Sequence, residues 1–369
     1  MACFVKRLLN LKSLNSLTFG TSKRLHTPFV SQFKWQQTSQ NVQYTTQVPP
    51  AKLGQAASEN DKRDFLAVFP DVVRELTNLG TQSDISDAQK WFAKVIQYNV
   101  IGGKLNRGMA VYLSLKEFIP KDALTPEIKR KAFILGWVME LIQSHYLVTD
   151  DIVDDSKMRR GKKCWYLNEG VGLRAVVDAL LLNAGAFKLL SNHFKEEEYY
   201  VDMLDLFHDI NLKTVIGQCL DLQTSNNKGP NLKKFTMENY DAIIRHKTSY
   251  YSFYLPVALA MFMAGIRETD YARVAGITDR ELHRQAKTIL LEMGSFFQVQ
   301  DDYLSCFGDI SITGKDGCDI REGKCTWLAV VALQRASNSQ RKIMEEHYGR
   351  DDDASVKRIK ELYKNIEAP

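Results

Sequence analysis

The sequence predicts an all-α fold, a single large helical bundle, on three observations. Between Glu127 and Ala368 only Pro230 and Pro256 interrupt the chain, so long helices joined by short loops are expected. Several stretches are apolar nearly all round, as helices in the middle of a bundle are. No alternating apolar–polar run with hairpin residues at its ends stands out to suggest strands.

The elements follow in chain order. Residues 1–58 contain Lys6, Arg7, Lys12, Lys23, Arg24, Lys34 and Lys52 but no Asp or Glu. Basic, Ser/Thr-rich and acid-free, this is the composition of a mitochondrial transit peptide. Phe4, Leu8, Leu11 and Phe19 fall near one helix face, while Asn10 and Lys12 interrupt the apolar centre a secretory signal needs. A matrix address is expected, with a linker through Val48-Pro49-Pro50; a tail without an address would leave the protein cytoplasmic. From residue 59 to 369 the chain reads as one helical domain. Ala132–Val153 predicts a central helix. Asn226-Asn227-Lys228-Gly229-Pro230 is a loop. Tyr240–Met263 predicts a second central helix with a kink at Pro256, and Leu282–Val299 a third.

Composition narrows the function. At 369 residues, 44% hydrophobic and 25% charged, the chain can bury a large core. Taking the seven basic groups of residues 1–58 from the formal +5 leaves −2 for the rest. The body therefore carries no basic signal for nucleic acid. No apolar run approaches the ~18 residues that span a bilayer. The six cysteines form no CxxC pair, so free thiols in a reducing compartment are expected rather than a zinc or dithiol site.

Two carboxylate clusters carry the chemistry. The first is Asp150-Asp151-Ile152-Val153-Asp154-Asp155, followed by Arg159-Arg160-Gly161; the second is Asp301-Asp302 after Phe297-Gln298-Val299-Gln300. Such density inside apolar helical stretches is costly unless cations compensate it. Asp150 and Asp154 share a helix face, about 6 Å apart along the axis. Hard divalent cations with open positions for phosphate oxygens suit that pair. The turn Gly102-Gly103-Lys104-Leu105-Asn106-Arg107-Gly108 permits close approach of an anion, with two cations one turn apart to clamp it. Lys247-Thr248, Gly314-Lys315 and Lys324 are ordinary in isolation.

In this order, over about residues 60–369, these motifs resemble the farnesyl diphosphate synthase family of short-chain trans-prenyltransferases. They are joined by Leu147-Val148-Thr149 ahead of the first cluster, Cys164-Trp165-Tyr166 after it, Tyr303-Leu304 after the second, and Lys324-Cys325-Thr326-Trp327. The resemblance implies an all-helical barrel-like bundle with the two clusters facing across a deep cavity. It implies that Asp150, Asp154 and Asp301 ligate three magnesium ions, manganese being an alternative. Arg159, Lys247 and Lys315, with Lys324 nearby, would grip an allylic diphosphate. Lys104, Arg107, Gln143 and Arg160 would hold isopentenyl diphosphate. Thr248, the Lys247 carbonyl and Gln298 would face the cation formed on ionisation. Dimethylallyl diphosphate would give geranyl diphosphate and then farnesyl diphosphate, with the proton passing to released diphosphate, since no His or Glu is placed as base. A homodimer is also implied.

Three departures qualify this reading. Ser305 replaces the last aspartate of the second motif, so weaker metal affinity is expected. His145 and Tyr146 stand where the family has two aromatic residues. Tyr146, one turn before Asp150, would form the floor that limits product length; His145 could enlarge that floor or be a hydrogen-bonded core histidine. The chain ends at Pro369, whereas family members carry about forty further residues ending in a basic tail; if the chain is complete, closure of the site and part of the core are compromised, a truncated gene model or splice form being the alternative. A geranyl diphosphate synthase, a family-derived terpene synthase and a non-catalytic paralogue are the alternatives.

Overall fold

The computed structural model describes residues 57–78, 85–225, 230–267, 273–274, 277–308 and 319–366. Helix α1 (Glu59–Thr77) starts where Ser58 accepts the amide of Asp61 and buries Phe65, Val68, Phe69, Val72, Val73 and Leu76 on one stripe. Helices α2 (Ser86–Asn99) and α3 (Asn106–Phe118) follow. Helix α4 (Pro126–Val153) begins with Thr125 accepting from Ile128 N and proline in the first turn, a position where no amide is lost. Its residues from Ala132 to Ile142 are buried without a break, so α4 is the central helix the composition predicts. The Trp137 indole stacks on Phe65 at 4.4 Å and donates to the Phe65 carbonyl. Helices α3 and α4 touch through backbone: a Cβ on Gly136 would sit 2.7 Å from the Gly108 carbonyl oxygen.

Helices α5 (Ala175–Phe194) and α6 (Tyr200–Thr224) pack next. Buried Asp178 of α5 accepts both indoles of Trp91 and Trp165, at 2.7 and 2.8 Å. That pairing ties the segment after α4 to α2 and α5. The run predicted over Tyr240–Met263 is three pieces: α7 (Met237–Ile243), a π-helix (Ile244–Tyr254) and α8 (Leu255–Met263). Pro256 sits in the first turn of α8 and marks the end of the π segment, so a change of winding replaces the predicted kink.

Helix α9 (Asp279–Phe307) buries one stripe through Leu282, Ala286, Leu290 and Gly294, and leaves Phe296 73% exposed. It lies at the edge of the bundle, a correction to the central helix expected over Leu282–Val299. Helices α10 (Trp327–Arg335), α11 (Asn338–His347) and α12 (Asp353–Asn365) form a second buried cluster with α7 around Leu328, Met344, Ile359 and Tyr363. Two short antiparallel ribbons, Met158–Arg159 with Lys162–Lys163 and Arg273–Val274 with Ile277–Thr278, are the strands among the described residues. At two residues each they are too short for alternation to show. No described helix is long and apolar enough to cross a membrane.

Candidate active site

The last turn of α4 presents Asp150, Asp151 and Asp154. Just beyond it the chain reverses through the 158–163 hairpin, whose central residues Arg160 and Gly161 both have positive φ (55° and 73°), as a two-residue turn of this hand requires. The reversal points Arg159 back at the helix it has left. Its Nε and Nη2 donate to Asp151 Oδ1 at 2.8 and 2.5 Å, and Nη2 approaches Asp150 Oδ2 at 3.5 Å. Burial raises the Asp151 carboxyl above its ordinary range, with Arg159 opposing it.

Asp150 and Asp154 face α6 and the π-helix. Asp150 Oδ1 accepts from Lys247 Nζ and Gln218 Nε2, each at 3.0 Å. Asp154 accepts from Lys324 Nζ at 2.6 Å. Both lysines also reach Asp221 of α6, at 2.6 and 3.3 Å. Three carboxylates and two ammonium groups thus interlock, with Arg159 at the rim. Burial alone would push the Asp221 carboxyl up, but Lys247 and Lys324 hold it down at about 2. The same lysines outweigh burial at Asp150 and lower it further; at Asp154 burial prevails and the carboxyl is raised. The ammonium of Lys247 is correspondingly held above its usual value despite burial.

Close helix packing makes this possible. Gly217 of α6 lies against the π-helix so tightly that a Cβ there would meet the Lys247 amide nitrogen at 2.1 Å. On the other side, a Cβ on Gly294 of α9 would meet Ser249 Oγ at 2.3 Å. Lys247 and Thr248 are therefore clasped between two helices at glycine contacts. Thr248 Oγ1 donates to Gln298 Oε1 at 3.4 Å, and Gln298 Nε2 donates to Asp302 at 2.9 Å. Asp302 also accepts from Tyr240 Oη and Trp327 N, both at 2.8 Å. Burial, then the neighbouring Asp319, pushes its carboxyl up to about 7. Asp302 thus fixes which way the Gln298 amide points, leaving its oxygen toward Thr248. Asp301, the residue expected to bind metal, is half-buried beside it.

The glycine-rich turn lies next to the hairpin. The Arg160 guanidinium rests over Gly103, within 2.8 Å of a would-be Cβ. Its Nη1 donates to the carbonyls of Asn99, Val100 and Ile101 at 2.8, 3.3 and 3.4 Å, closing the C-terminal end of α2. Arg107 Nε and Nη2 donate to Ser252 Oγ at 2.9 and 2.7 Å, with the guanidinium 4.9 Å above the Tyr251 ring. Lys104 is exposed and precedes α3, because Leu105 takes a left-handed conformation. It is therefore not one helical turn from Arg107, as the spacing suggested. Gln143 is half-buried on α4.

Tyr146 lies one turn below Asp150. Its hydroxyl donates to Asn211 Oδ1 of α6, and its ring meets Tyr251 edge-on at 5.2 Å. His145 turns to α5, its Nδ1 2.9 Å from the Ala179 carbonyl oxygen, and burial lowers its pKa. It is the hydrogen-bonded core histidine of the two readings. Lys315, with Gly314, lies outside the described residues.

Asp150 and Asp154 offer carboxylate oxygens from one helix face, donors that a hard divalent cation accepts. Among the described residues no three His, Cys, Asp or Glu side chains lie close enough to enclose an ion. Sequence reasoning missed Gln218, Asp221, Gly217 and Glu140. Gly217-Gln218 and Asp221 form GQxxD, a compact polar signal within α6; Glu140 gave none beyond a charge amid apolar residues.

The polyprenyl synthetase family model matches residues 89–366. A farnesyl pyrophosphate synthase of Nezara viridula is 51% identical over 315 residues, 85% of this chain and 74% of that protein. The Bos taurus protein of the same name is 44% identical over 312 residues, 84% of this chain and 85% of its own. Among solved structures, T. brucei farnesyl diphosphate synthase complexed with risedronate matches with a TM-score of 0.72 and 28% identity, covering 83% of this chain and 87% of that one. With the carboxylate–lysine cluster, the paired glycine contacts and these relatives all falling on one helical domain, the chain belongs to the polyprenyl synthetase family.

Proposed function

We propose that this chain is a magnesium-dependent farnesyl diphosphate synthase, joining isopentenyl diphosphate to dimethylallyl and then geranyl diphosphate. One observation carries the reading: Asp150, Asp154 and Asp221 are neutralised by Lys247, Lys324 and, at the rim, Arg159. Those cations can transfer from carboxylate to diphosphate as an anionic substrate arrives. Ionisation of the allylic C–O bond needs the departing charge stabilised where it develops, and preorganised ammonium and guanidinium groups do this. Asp150, Asp154 and Asp301 would hold magnesium, which when bound would supply Lewis-acid stabilisation to that diphosphate. The oxygens of Thr248 and Gln298 and the Lys247 carbonyl face the allylic cation. Arg107, Arg160, Lys104 and Gln143 hold isopentenyl diphosphate so that its double bond attacks, and the proton then passes to released diphosphate. Lys315 belongs to the allylic grip by resemblance, and Tyr146 sets the floor with His145 behind it.

Two further readings accompany this one. Leu173, Val176, Val177 and Leu180 before and on α5, with Leu212 and Val215 on α6, are 45–77% exposed large apolar side chains, a face suited to a second copy. The acid-free segment 1–58 addresses the chain to mitochondria. A fusion of that segment to a fluorescent protein that stays in the cytosol would remove the second reading, and a monomer by light scattering the first.

Incubation of the chain with magnesium, isopentenyl diphosphate and either allylic substrate should yield farnesyl diphosphate by chromatography. Asp150→Ala should abolish it. Geranyl diphosphate as the end product would correct the chain length; an active Asp150→Ala would remove the site assignment.

A further inference from the structure

We infer that Glu140 is a positioning residue for isopentenyl diphosphate, a cap supplied from α4 that sets the first turn of α3 and its arginine. The inference rests on the prenyltransferase reading of the site. Helix α3 carries Arg107 as its second residue, yet it has no cap of its own: Leu105 stands at the N-cap with φ 53° and offers no side-chain acceptor. The first-turn amides of a helix need acceptors. Glu140, only 1% exposed, provides one from the neighbouring helix. Its Oε1 accepts from Gly108 N at 2.8 Å, and the Arg107 backbone amide beside it favours the charged carboxylate.

The position is enforced by packing. Gly108 and Gly136 let α3 and α4 approach at backbone contact, and a Cβ on Gly108 would lie 3.0 Å from Glu140 Cγ. One turn further along α4, Ser144 donates to the carbonyls of both Glu140 and Asn99. Asn99 is also bonded by Arg160, so α4 holds the start of α3 and the end of α2 together. Arg107 and Arg160 repel each other, and each is attracted to Glu140. Burial raises the Glu140 carboxyl, while the Gly108 amide and the two guanidinium groups oppose that rise. Both arginines spend hydrogen bonds on protein: Arg107 on Ser252, Arg160 on the α2 carbonyls. A single buried carboxylate thus keeps two like charges adjacent and facing one diphosphate.

The sign of one substitution separates positioning from simple charge. Glu140→Gln keeps shape and one acceptor but removes the negative charge. If Glu140 only lowered the local potential, the variant would bind an anion more tightly. If it positions the arginines, binding weakens. The full-length protein and its Glu140→Gln variant are titrated calorimetrically with isopentenyl diphosphate in EDTA, where the metal-dependent allylic site is silent. The expected result is a Kd raised about tenfold. In turnover assays KM for isopentenyl diphosphate should rise by a similar factor while KM for geranyl diphosphate changes less than about twofold, a split that general destabilisation would not give. An unchanged or lowered Kd, or equal rises in both KM values, overturns the inference. A wild-type protein that binds isopentenyl diphosphate in EDTA yet makes no product would instead sink the prenyltransferase reading, leaving the calorimetric comparison to decide the role of Glu140.

Discussion

Replacing Gly217 with alanine tests how the site is assembled. In an isolated helix this change would stabilise α6 by about 1 kcal/mol. Here the new Cβ would stand 2.1 Å from the Lys247 nitrogen, 2.6 Å from the His246 carbonyl carbon and 2.7 Å from Lys247 Cα. Cβ contacts below 3.0 Å are essentially never seen, so α6 and the π-helix must separate by at least 0.9 Å, the difference between 3.0 and 2.1. All three partners are backbone atoms, so no rotamer change relieves the contact. Overpacking of this kind costs about 1–3 kcal/mol or more, which reverses the sign of the helix effect. The separation also pulls Asp221 and Gln218, both on α6, away from Lys247 and Asp150. Misplacement by about 1 Å costs on the order of 10²-fold in rate. Steady-state kinetics should therefore show kcat down about a hundredfold, with Tm lowered by a few degrees. Gly185→Ala is the control: its added methyl meets a side chain, Phe92 Cζ at 2.9 Å, away from the lysines, and turnover should persist. A Gly217→Ala protein with normal kcat and a raised Tm would refute the reasoning.

Four other outcomes follow from the same geometry. Arg159→Lys loses the paired donation to Asp151, which an ammonium cannot reproduce; KM for the allylic diphosphate should rise at least about tenfold, and an unchanged KM would remove Arg159 from the grip. Ser305→Asp should lower the magnesium concentration needed for half-maximal rate, and an identical requirement would show that Ser305 does not weaken the metal site. Tyr146→Ala removes the ring below Asp150, so products one isoprene unit longer should appear by chromatography; an unaltered product spectrum would place the floor elsewhere. Asp61 is buried, which would raise its carboxyl, but Ser58, Tyr112 and Lys116 hold it below its ordinary 3.8. Because its folded value is depressed, its contribution is present above about pH 4 and fades as pH falls through the folded value. Asp61→Asn should therefore cost about 1–2 kcal/mol at pH 7 and converge with wild type in urea denaturation once pH has fallen through the folded value; a pH-independent difference would contradict the assignment.

The helical class was legible because it follows from local properties: sparse proline, all-round apolar runs and turn residues at their ends. Asp150 and Asp154 were legible for the same reason, since four-residue spacing places both on one face whatever surrounds the helix. The sequence by itself determined that α4 is central and that its acidic end needs cations. Tertiary structure alone decided which cations. Lys247, Lys324, Gln218 and Asp221 bond to one another and to Asp150 and Asp154 across separations of 26 to 170 residues, and no periodicity records such distances. It also decided the winding over Ile244–Tyr254, the outward face of α9 and the inward turn of His145. A helix's apolar pattern says that a face will be covered, whereas the partner that covers it depends on how closely two backbones approach. Gly217, Gly294 and Gly108 set that approach here, and a missing side chain leaves no pattern until its neighbour is known.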